Sequence, residues 1–412
     1  MRGLGKISEA LFRGLRVVDS WIGLPLKAEE SLHFRLGWRR SLPVRVSDAT
    51  ALWIHGASVG ELEDLAAFFS DAELLAQAGY SPERLVLTAS SISSASKLQS
   101  WGQELGLRYA GPLPPESSPE LEDFFHRLRP DLLVLSHSDI WPRALEEART
   151  ALPRGALWLP QRTPEPTALQ RACLGGLVRR VGLREPSAAA RDVLEVPADF
   201  VGNPRIDRIV RRIEAARRRP EHVLEKHGAA PQRGRVSLIL GSAWTEDAEM
   251  LAQALDILGA EKRRALQLVV FPHEVRNSPV VGGLQRILPE ARVLPLEGIL
   301  LESFRDFTAA FIGGGFRTGL HSVLEPALWE RPTLCGPDLR KQPQASSLRD
   351  GGLLRTIHRP EELAAQLDLI LGGTPETASN RELWQRASAE TAARLWNQKG
   401  AAERLALLIR SL

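Results

Sequence analysis

Along this chain, short apolar runs alternate with stretches in which apolar positions recur every three or four residues. The runs ALWIHGA (51–57), RLVLTAS (84–90), DLLVLSHS (131–138), GALWLP (155–160) and ADFVGN (198–203) read as strands, with helical patterns between them. Strand, helix, strand succession predicts a parallel sheet covered on both faces. Between them, GPLPPESSPE (111–120) reads as a loop from its Pro and Ser content. A second series follows: VSLILGS (236–242), LQLVVFPH (266–273), ARVLPL (291–296), AAFIGGG (309–315) and PTLCGP (332–337). The Arg-rich helical stretch RIVRRIEAARRRP (208–220) and the breaker-rich GAAPQRGR (228–235) lie between the two series. The expected fold class is therefore α/β, with two doubly wound, Rossmann-like domains facing across a cleft that holds the ligand.

The two ends of the chain carry their own patterns. RELWQRASAETAARLWNQKGAAERLALLIRSL (381–412) is helical with a break near Gly400, and long enough to cross back to the first domain. Near the start, ISEALFRGLRVVDSWIGLPL (7–26) places Ile7, Leu11, Phe12, Leu15 and Val18 on one helical face, with Arg13, Arg16 and Asp19 on the other. Such a helix suits a membrane interface, with Trp21 at headgroup depth and Arg2, Lys6, Arg13 and Arg16 near anionic lipid; it equally suits docking on its own domain. The expected division is a segment 1–40, an N-terminal domain 41–206, a C-terminal domain 207–380 and C-terminal helices 381–412.

Composition narrows the classes. A chain of 412 residues with 43% hydrophobic and 25% charged residues is globular and too long for one ordinary core. The net charge of +3 is small, and the Arg clusters read as solvated helix faces. With only 6% aromatic residues, the stacking surface that nucleic-acid binding wants is lacking, and no nucleic-acid partner is expected. Cys173 and Cys335 stand far apart, with no CxxC and no histidines at zinc-ligand spacing, which fits a reducing compartment and no metal site. Without a leader-like opening or an 18-residue apolar run, a cytoplasmic location is expected.

Candidate chemistry gathers at strand ends. In WIHGASVGELEDL (53–65) a strand breaks at Gly56, turns to Gly60 and puts Glu61 where a helix begins. Glu61, Glu63 and Asp64 suit the positive end of a helix dipole, and Glu61 also suits a general base at the end of the first strand. In IGGGFRTGLHSVLEPALWERPTLCGP (312–337), three glycines lie between a strand and a helix expected near Leu320, an arrangement that serves a phosphate or a plain tight turn. On that helix His321 and Glu325 would share a face, with Glu325 suited to ribose hydroxyls or, with His321, to an exposed pair. SHSDIWPRAL (136–145) and VVFPHEVRN (269–277) add His137, Asp139, His273 and Arg276. No GxSxG, HExxH, GxGxxG or GxxxxGK[ST] pattern is present, so metal-independent transfer is the better expectation.

In the same order, these stretches resemble the motifs of the 3-deoxy-D-manno-octulosonic acid (Kdo) transferase family, whose members are similar to two-domain GT-B glycosyltransferases. WIHGASVGE resembles H-x-x-S-[VI]-G-E, SDIWP resembles [ST]-E-L-W-P, and GNPRID resembles G-N-x-K-x-D. GSAWTEDAE resembles G-S-T-H-x-x-E-E, and GGGFRTGLHSVLEP the loop G-G-x(5)-G-G-H-N-x-L-E-P. The resemblance implies an inverting transfer of Kdo from CMP-Kdo to a lipid A precursor, with peripheral contact at the cytoplasmic face of the inner membrane and no cofactor or metal. It implies that 41–206 binds the acceptor, with Glu61 as general base and Ser58, His137 and Asp139 beside it. It implies that 207–380 binds the CMP-sugar through Ser242, His273, Arg276, Gly313, Gly314, Gly315, His321, Ser322 and Glu325.

The chain departs from the family pattern mainly on the donor side. Pro272 stands where P-R-H has its Arg, Trp244 where G-S-T-H has its His, and Ser322 where the loop has Asn. The glycine loop is one residue shorter, and His137 replaces an acid two positions before Asp139. Two other readings therefore stay open: a GT-B transferase with another nucleotide-sugar donor, and a catalytically silent homologue that binds lipid or a protein partner.

Overall fold

A strand apolar at consecutive positions needs covering on both faces. In β1 (Ala51–Gly56), Leu52 and Ile54 join one apolar cluster while Ala51 and Trp53 join the other. The same alternation holds in β4 (Pro130–Ser136), where Leu132 and Val134 lie on one side and Leu133 and Leu135 on the other. The structure, a computed structural model, describes residues 34–42, 48–137, 139–161, 165–185, 192–317, 319–340 and 342–412. The amphipathic stretch expected at 7–26 lies outside the described residues.

Two compact units result. The first takes the described residues up to Arg208 together with Lys399–Leu412, and the second is Ile209–Gln398. The division thus falls at Arg208 and Ile209, inside the helix Pro204–Arg217, rather than at 206 and 207. Of the C-terminal helices expected as one group, Pro375–Trp396 belongs to the second unit, where Trp384 enters its core. Only the last helix, Ala401–Ser411, belongs to the first.

In the first unit β1 and β4 are joined by β2 (Leu85–Ala89), β3 (Tyr109–Pro112), β5 (Ala156–Leu159), β6 (Val178–Leu183), β7 (Asp192–Val193) and β8 (Val196–Phe200). Their order is β3-β2-β1-β4-β5-β6-β8-β7, all parallel except the short β7. The chain winds outward from β1 to β3, then returns to the other side of β1 as β4. Strand order therefore reverses between β1 and β4, the position at which doubly wound sheets bind ligands.

The second unit repeats this plan. It contains β9 (Val236–Ala243), β10 (Leu266–Pro272), β11 (Arg292–Val293), β12 (Ala309–Ile312), β13 (Thr333–Cys335) and β14 (Leu354–Thr356), all parallel. The order β11-β10-β9-β12-β13-β14 reverses between β9 and β12. Leu238 and Leu240 face the cluster that includes Leu251, Leu363 and Trp384, and Ile239 is buried on the opposite face.

Four strands, β3, β6, the two-residue β7 and β14, lay outside the sequence reading. β3 ends inside the expected loop 111–120, and the helix Ser118–Leu128 begins there. Its sequence YAGP is too short and too rich in breakers to show a period, and pairing with β2 places it. β6, with Arg179 and Arg180 inside VRRVGL, and the three-residue β14 are likewise held by their neighbours. Among the described residues no helix is long and apolar enough to cross a membrane.

The last helix is anchored by a carboxylate far away in sequence. Asp207 Oδ1 accepts the Gly400 N–H and Oδ2 the Ala402 N–H, both at 2.7 Å, satisfying donors at a helix start that no local side chain caps. Leu405 and Ile409 then bury against the core that contains Leu65 and Leu75. Asp207→Ala is expected to cost about 1–3 kcal/mol in urea unfolding and to speed hydrogen exchange at Ala402. Unchanged exchange there would show that packing alone holds the helix.

Candidate active site

In the first unit, polar side chains gather where β1 and β4 part. Gly56 ends β1, and a Cβ there would lie 3.1 Å from Glu61 Cβ, so glycine eases the close start of the helix Val59–Phe69 beside its strand. Ser58 is the residue before the helix, and its hydroxyl caps none of the helix N–H groups. Glu61 instead closes back on the turn before the helix. Its Oε2 accepts the Ala57 N–H at 2.9 Å, while Oε1 lies 3.7 Å from His137 Nδ1 beyond the end of β4. Burial raises the Glu61 pKa above the ordinary value; His137 and the Ala57 N–H oppose that rise, and Asp139 adds to it. Such a carboxylate takes up a proton more readily than an exposed one.

Asp139 binds a second group of side chains. It accepts from His55 Nε2 at 3.0 Å and from Ser90 Oγ at 2.5 Å. The Trp53 indole donates to Thr88 Oγ1, whose own proton is then free for His55 Nδ1 at 2.8 Å; this leaves the proton of His55 on Nε2, facing Asp139. Burial would raise the Asp139 carboxyl, but the bonds from His55, Ser90 and Trp141 outweigh it and hold the pKa at about 2. Asp139 therefore stays ionised where Glu61 is pushed toward protonation.

Two first-turn acids that looked alike in sequence part company. Glu63 pairs with Arg208 at 3.0 Å on a partly exposed face. Asp64 is 5% exposed and binds Arg184 Nη1 at 2.8 Å, Arg205 Nη1 at 3.5 Å and His137 Nε2 at 3.4 Å. Burial works against its charge, yet the guanidiniums of Arg184 and Arg205 hold its pKa well below the carboxylate range. Asp64 is thus a buried anchor rather than an ordinary helix-start acid. His55, Asp64 and Arg184 carried no local signal, since their partners lie 84, 120 and 47 positions away.

In the second unit the corresponding place lies between β9 and β12. Here Ser242 adopts a left-handed backbone, with φ of 56°, at the end of β9. Trp244 follows, and its ring packs tilted against His273 at 4.6 Å; His273 stacks on His321 at 4.2 Å. The Trp244 indole N–H donates to His321 Nε2 at 3.0 Å, and the Arg317 guanidinium sits 4.4 Å over the indole ring. Ser322 Oγ is buried with no hydrogen-bond partner. Arg276 is instead an exposed side chain paired with Glu297 at 3.1 Å.

Two expectations about the glycine loop need correction. The helix near it is Leu324–Leu328, not one starting near Leu320, so His321 precedes it and does not share a helix face with Glu325. Pro326 is the cause: it has no N–H to give to residue 322, and it is tolerated only within a first turn. Nor do the first two glycines offer their N–H groups outward. Gly313 N–H goes to Gly241 O and Gly314 N–H to Asp247 Oδ2, both at 2.9 Å. The glycines serve close packing: a Cβ on Gly313 would lie 2.4 Å from Ser242 O, and one on Gly315 2.7 Å from Gly336 Cα.

Asp247 ties these parts together. Its Oδ2 accepts the N–H groups of Trp244 and Gly314, both at 2.9 Å, and its Oδ1 is buried without a partner. Its place three residues after Trp244, at a helix start, is the spacing of a capping acid and was readable from sequence. Burial raises its pKa to about 6 against those two N–H groups. Among the described residues no group of three or more His, Cys, Asp or Glu side chains is placed to hold a metal ion.

Comparisons with known proteins bear on the fold and on the first part of the chain. UDP-GlcNAc 2-epimerase from Neisseria meningitidis, bound to UDP-GlcNAc, matches over 87% of this chain and 99% of its own at 14% identity, with a TM-score of 0.59. MurG from Acinetobacter baumannii matches over 88% of this chain and 100% of its own at 14% identity, with a TM-score of 0.53. These likenesses define the class: the fold is α/β of the GT-B type. Residues 30–154 match the family model of 3-deoxy-D-manno-octulosonic-acid transferase (kdotransferase), so over that stretch the chain resembles the family its motifs pointed to. The C-terminal CMP-Kdo binding domain of WaaA from Acinetobacter baumannii matches 44% of this chain and 98% of its own at 16% identity; its TM-score of 0.35 carries no argument. No curated protein matches the chain.

The raised pKa of Asp247 gives a measurable pH dependence. An acid with a folded pKa above its unfolded one binds more protons when folded, so its contribution to stability falls as pH rises from about 4 to about 6. Asp247→Asn keeps an oxygen for both N–H groups and cannot titrate. Between pH 4.5 and 7.5 the wild type is expected to lose on the order of 2 kcal/mol relative to Asp247→Asn in urea unfolding. Asp64 and Asp139 change stability in the opposite sense at lower pH and cancel in the comparison. Parallel pH dependences in the two proteins would remove the assignment.

Proposed function

We propose that the protein is an inverting, metal-independent glycosyltransferase that moves Kdo from CMP-Kdo to a lipid A precursor. The observation that carries this reading is the kdotransferase match over residues 30–154, which includes Glu61, His137 and Asp139. Glu61 supports it physically: it stands beyond the end of β1, where strand order reverses, with a raised pKa and an oxygen not committed to the backbone. In this reading Glu61 takes the proton of the acceptor hydroxyl. The freed oxygen attacks the anomeric carbon from the face opposite the phosphate, the bond to CMP breaks, and CMP leaves as the anion with inversion at that carbon. The second unit holds the CMP-sugar near Ser242, His273, the glycine loop and His321. The basic amphipathic stretch at 7–26 supports a peripheral position on the cytoplasmic face of the inner membrane.

A second reading has its own observation. Trp244 stands where the family motif has a histidine, with the Arg317 guanidinium 4.4 Å over its ring and His273 tilted against it. In this reading the changed residue selects a donor with a nucleotide other than CMP. Thermal stabilisation by CMP, UDP and GDP separates the two, since a ligand bound only by the folded state raises its melting temperature. CMP alone is expected to stabilise; stabilisation by UDP or GDP instead would establish the second reading.

The direct test is release of CMP from CMP-Kdo in the presence of a lipid A precursor. Glu61→Gln keeps an oxygen for the Ala57 N–H and so keeps the turn before the helix. It is expected to lower turnover by about a hundredfold or more with an unchanged melting temperature. Full activity in that variant would remove the base assignment, and binding of lipid A precursor without any turnover would mark a silent homologue.

A further inference from the structure

His137, expected from sequence beside Glu61, stands out in the first cluster by its backbone. Its backbone is left-handed, with φ of 57°, a conformation that non-glycine residues adopt at some cost and that clusters at functional sites. The surroundings hold it there: its N–H donates to Leu159 O at 2.9 Å, and its carbonyl accepts the Trp158 indole N–H. This twist aims the ring between three side chains. Nε2 lies 2.8 Å from Arg184 Nη2 and 3.4 Å from Asp64 Oδ2, and Nδ1 lies 3.7 Å from Glu61 Oε1.

Arg184 decides the protonation of the ring. A guanidinium can only donate, so a nitrogen 2.8 Å away has to present its lone pair. Arg184 is itself fixed, 7% exposed, by Asp64 at 2.8 Å and Asn203 Oδ1 at 3.3 Å. With Nε2 occupied as an acceptor, the ring is neutral and carries its one proton on Nδ1, the nitrogen that faces Glu61.

We propose that His137 is a positioning residue, locked in the Nδ1–H form by Arg184, which Asp64 holds in place, so that its N–H faces Glu61 Oε1 and keeps that carboxylate ionised and oriented. The inference rests on the reading of Glu61 as the base. The other groups facing Glu61 are the Ala57 N–H, His55 and Asp139, and those facing His137 are Arg184, Asp64 and Glu61. Of these, the His137 ring alone has a proton whose position a neighbouring cation sets. Burial favours protonated Glu61, and a donor aimed at its free oxygen favours the ionised form.

The test uses the full chain with 15N-labelled histidine and 13C-labelled glutamate side chains. At pH 7 the His137 spectrum is expected to show a protonated Nδ1 and a bare Nε2. His137→Ala is expected to raise the Glu61 titration midpoint by about half a unit or more, and His137→Gln, whose amide can donate, to restore most of that change. Arg184→Met is expected to move the ring proton to Nε2, toward Asp64; if that variant does not fold, the two His137 variants still decide. A bare Nδ1 in the wild type, or a Glu61 midpoint unmoved by His137→Ala, would overturn the proposal. These spectra need no substrate. If they behave as expected and no sugar is transferred, only the base reading fails; if Glu61→Gln abolishes transfer while His137→Ala leaves the acidic limb of kcat/KM in place, the base reading stands and this inference falls.

Discussion

A parallel strand buried on both faces has no room for a charge along its length. Polar side chains are therefore driven to strand ends, and the winding of the sheet decides which ends lie next to each other. In the first unit, the return of the chain from β3 to the far side of β1 opens a gap between β1 and β4. Glu61 and Ser58 follow one of these strands, and His137 and Asp139 the other. The second unit has the same winding, and Ser242, Trp244, His321 and the glycine loop follow β9 and β12.

Within that constraint, hydrogen-bond donors set the chemistry of each carboxylate. Glu61, Asp64, Asp139 and Asp247 all meet the same penalty from burial, and they differ in what opposes it. Two guanidiniums hold Asp64 ionised, and a histidine, a serine and a tryptophan hold Asp139. Glu61 has one backbone N–H and one more distant imidazole, and its pKa rises. Asp247 has two backbone N–H groups and no cation among its causes, and it rises to about 6. Four acids thus cover a structural anchor, a fixed anion, a candidate base and a loop clamp.

The glycines show a similar economy. Gly313 and Gly315 stand where another backbone or side chain approaches too closely for a Cβ, and Gly56 where the approach is tight. At Gly56 the close approach brings Glu61 back to its own strand end. At Gly313 it brings β12 against Ser242 and Asp247. Loops that looked in sequence like ligand cradles act first as joints between strand ends.

Much of this was open to sequence reasoning, because its causes are local. Consecutive apolar residues declared the parallel strands, Arg-rich and breaker-rich stretches marked the division of the chain, and the motif around Glu61 singled out one of three nearby acids. Glu61 keeps one oxygen on the turn before its helix and turns the other toward His137. Local pattern failed wherever the deciding partner was distant. β3 and β6 exist because neighbouring strands pair with them, and the helix at Leu324 starts late because Pro326 has no N–H. Asp64 resembled Glu63 until the fold brought Arg184 and Arg205 to it. The sequence by itself determined which elements form and which residues stand at their ends, since backbone preference and apolar period are local. Only the tertiary structure decided which charges meet, since burial and pairing depend on groups that folding alone brings within a few ångströms.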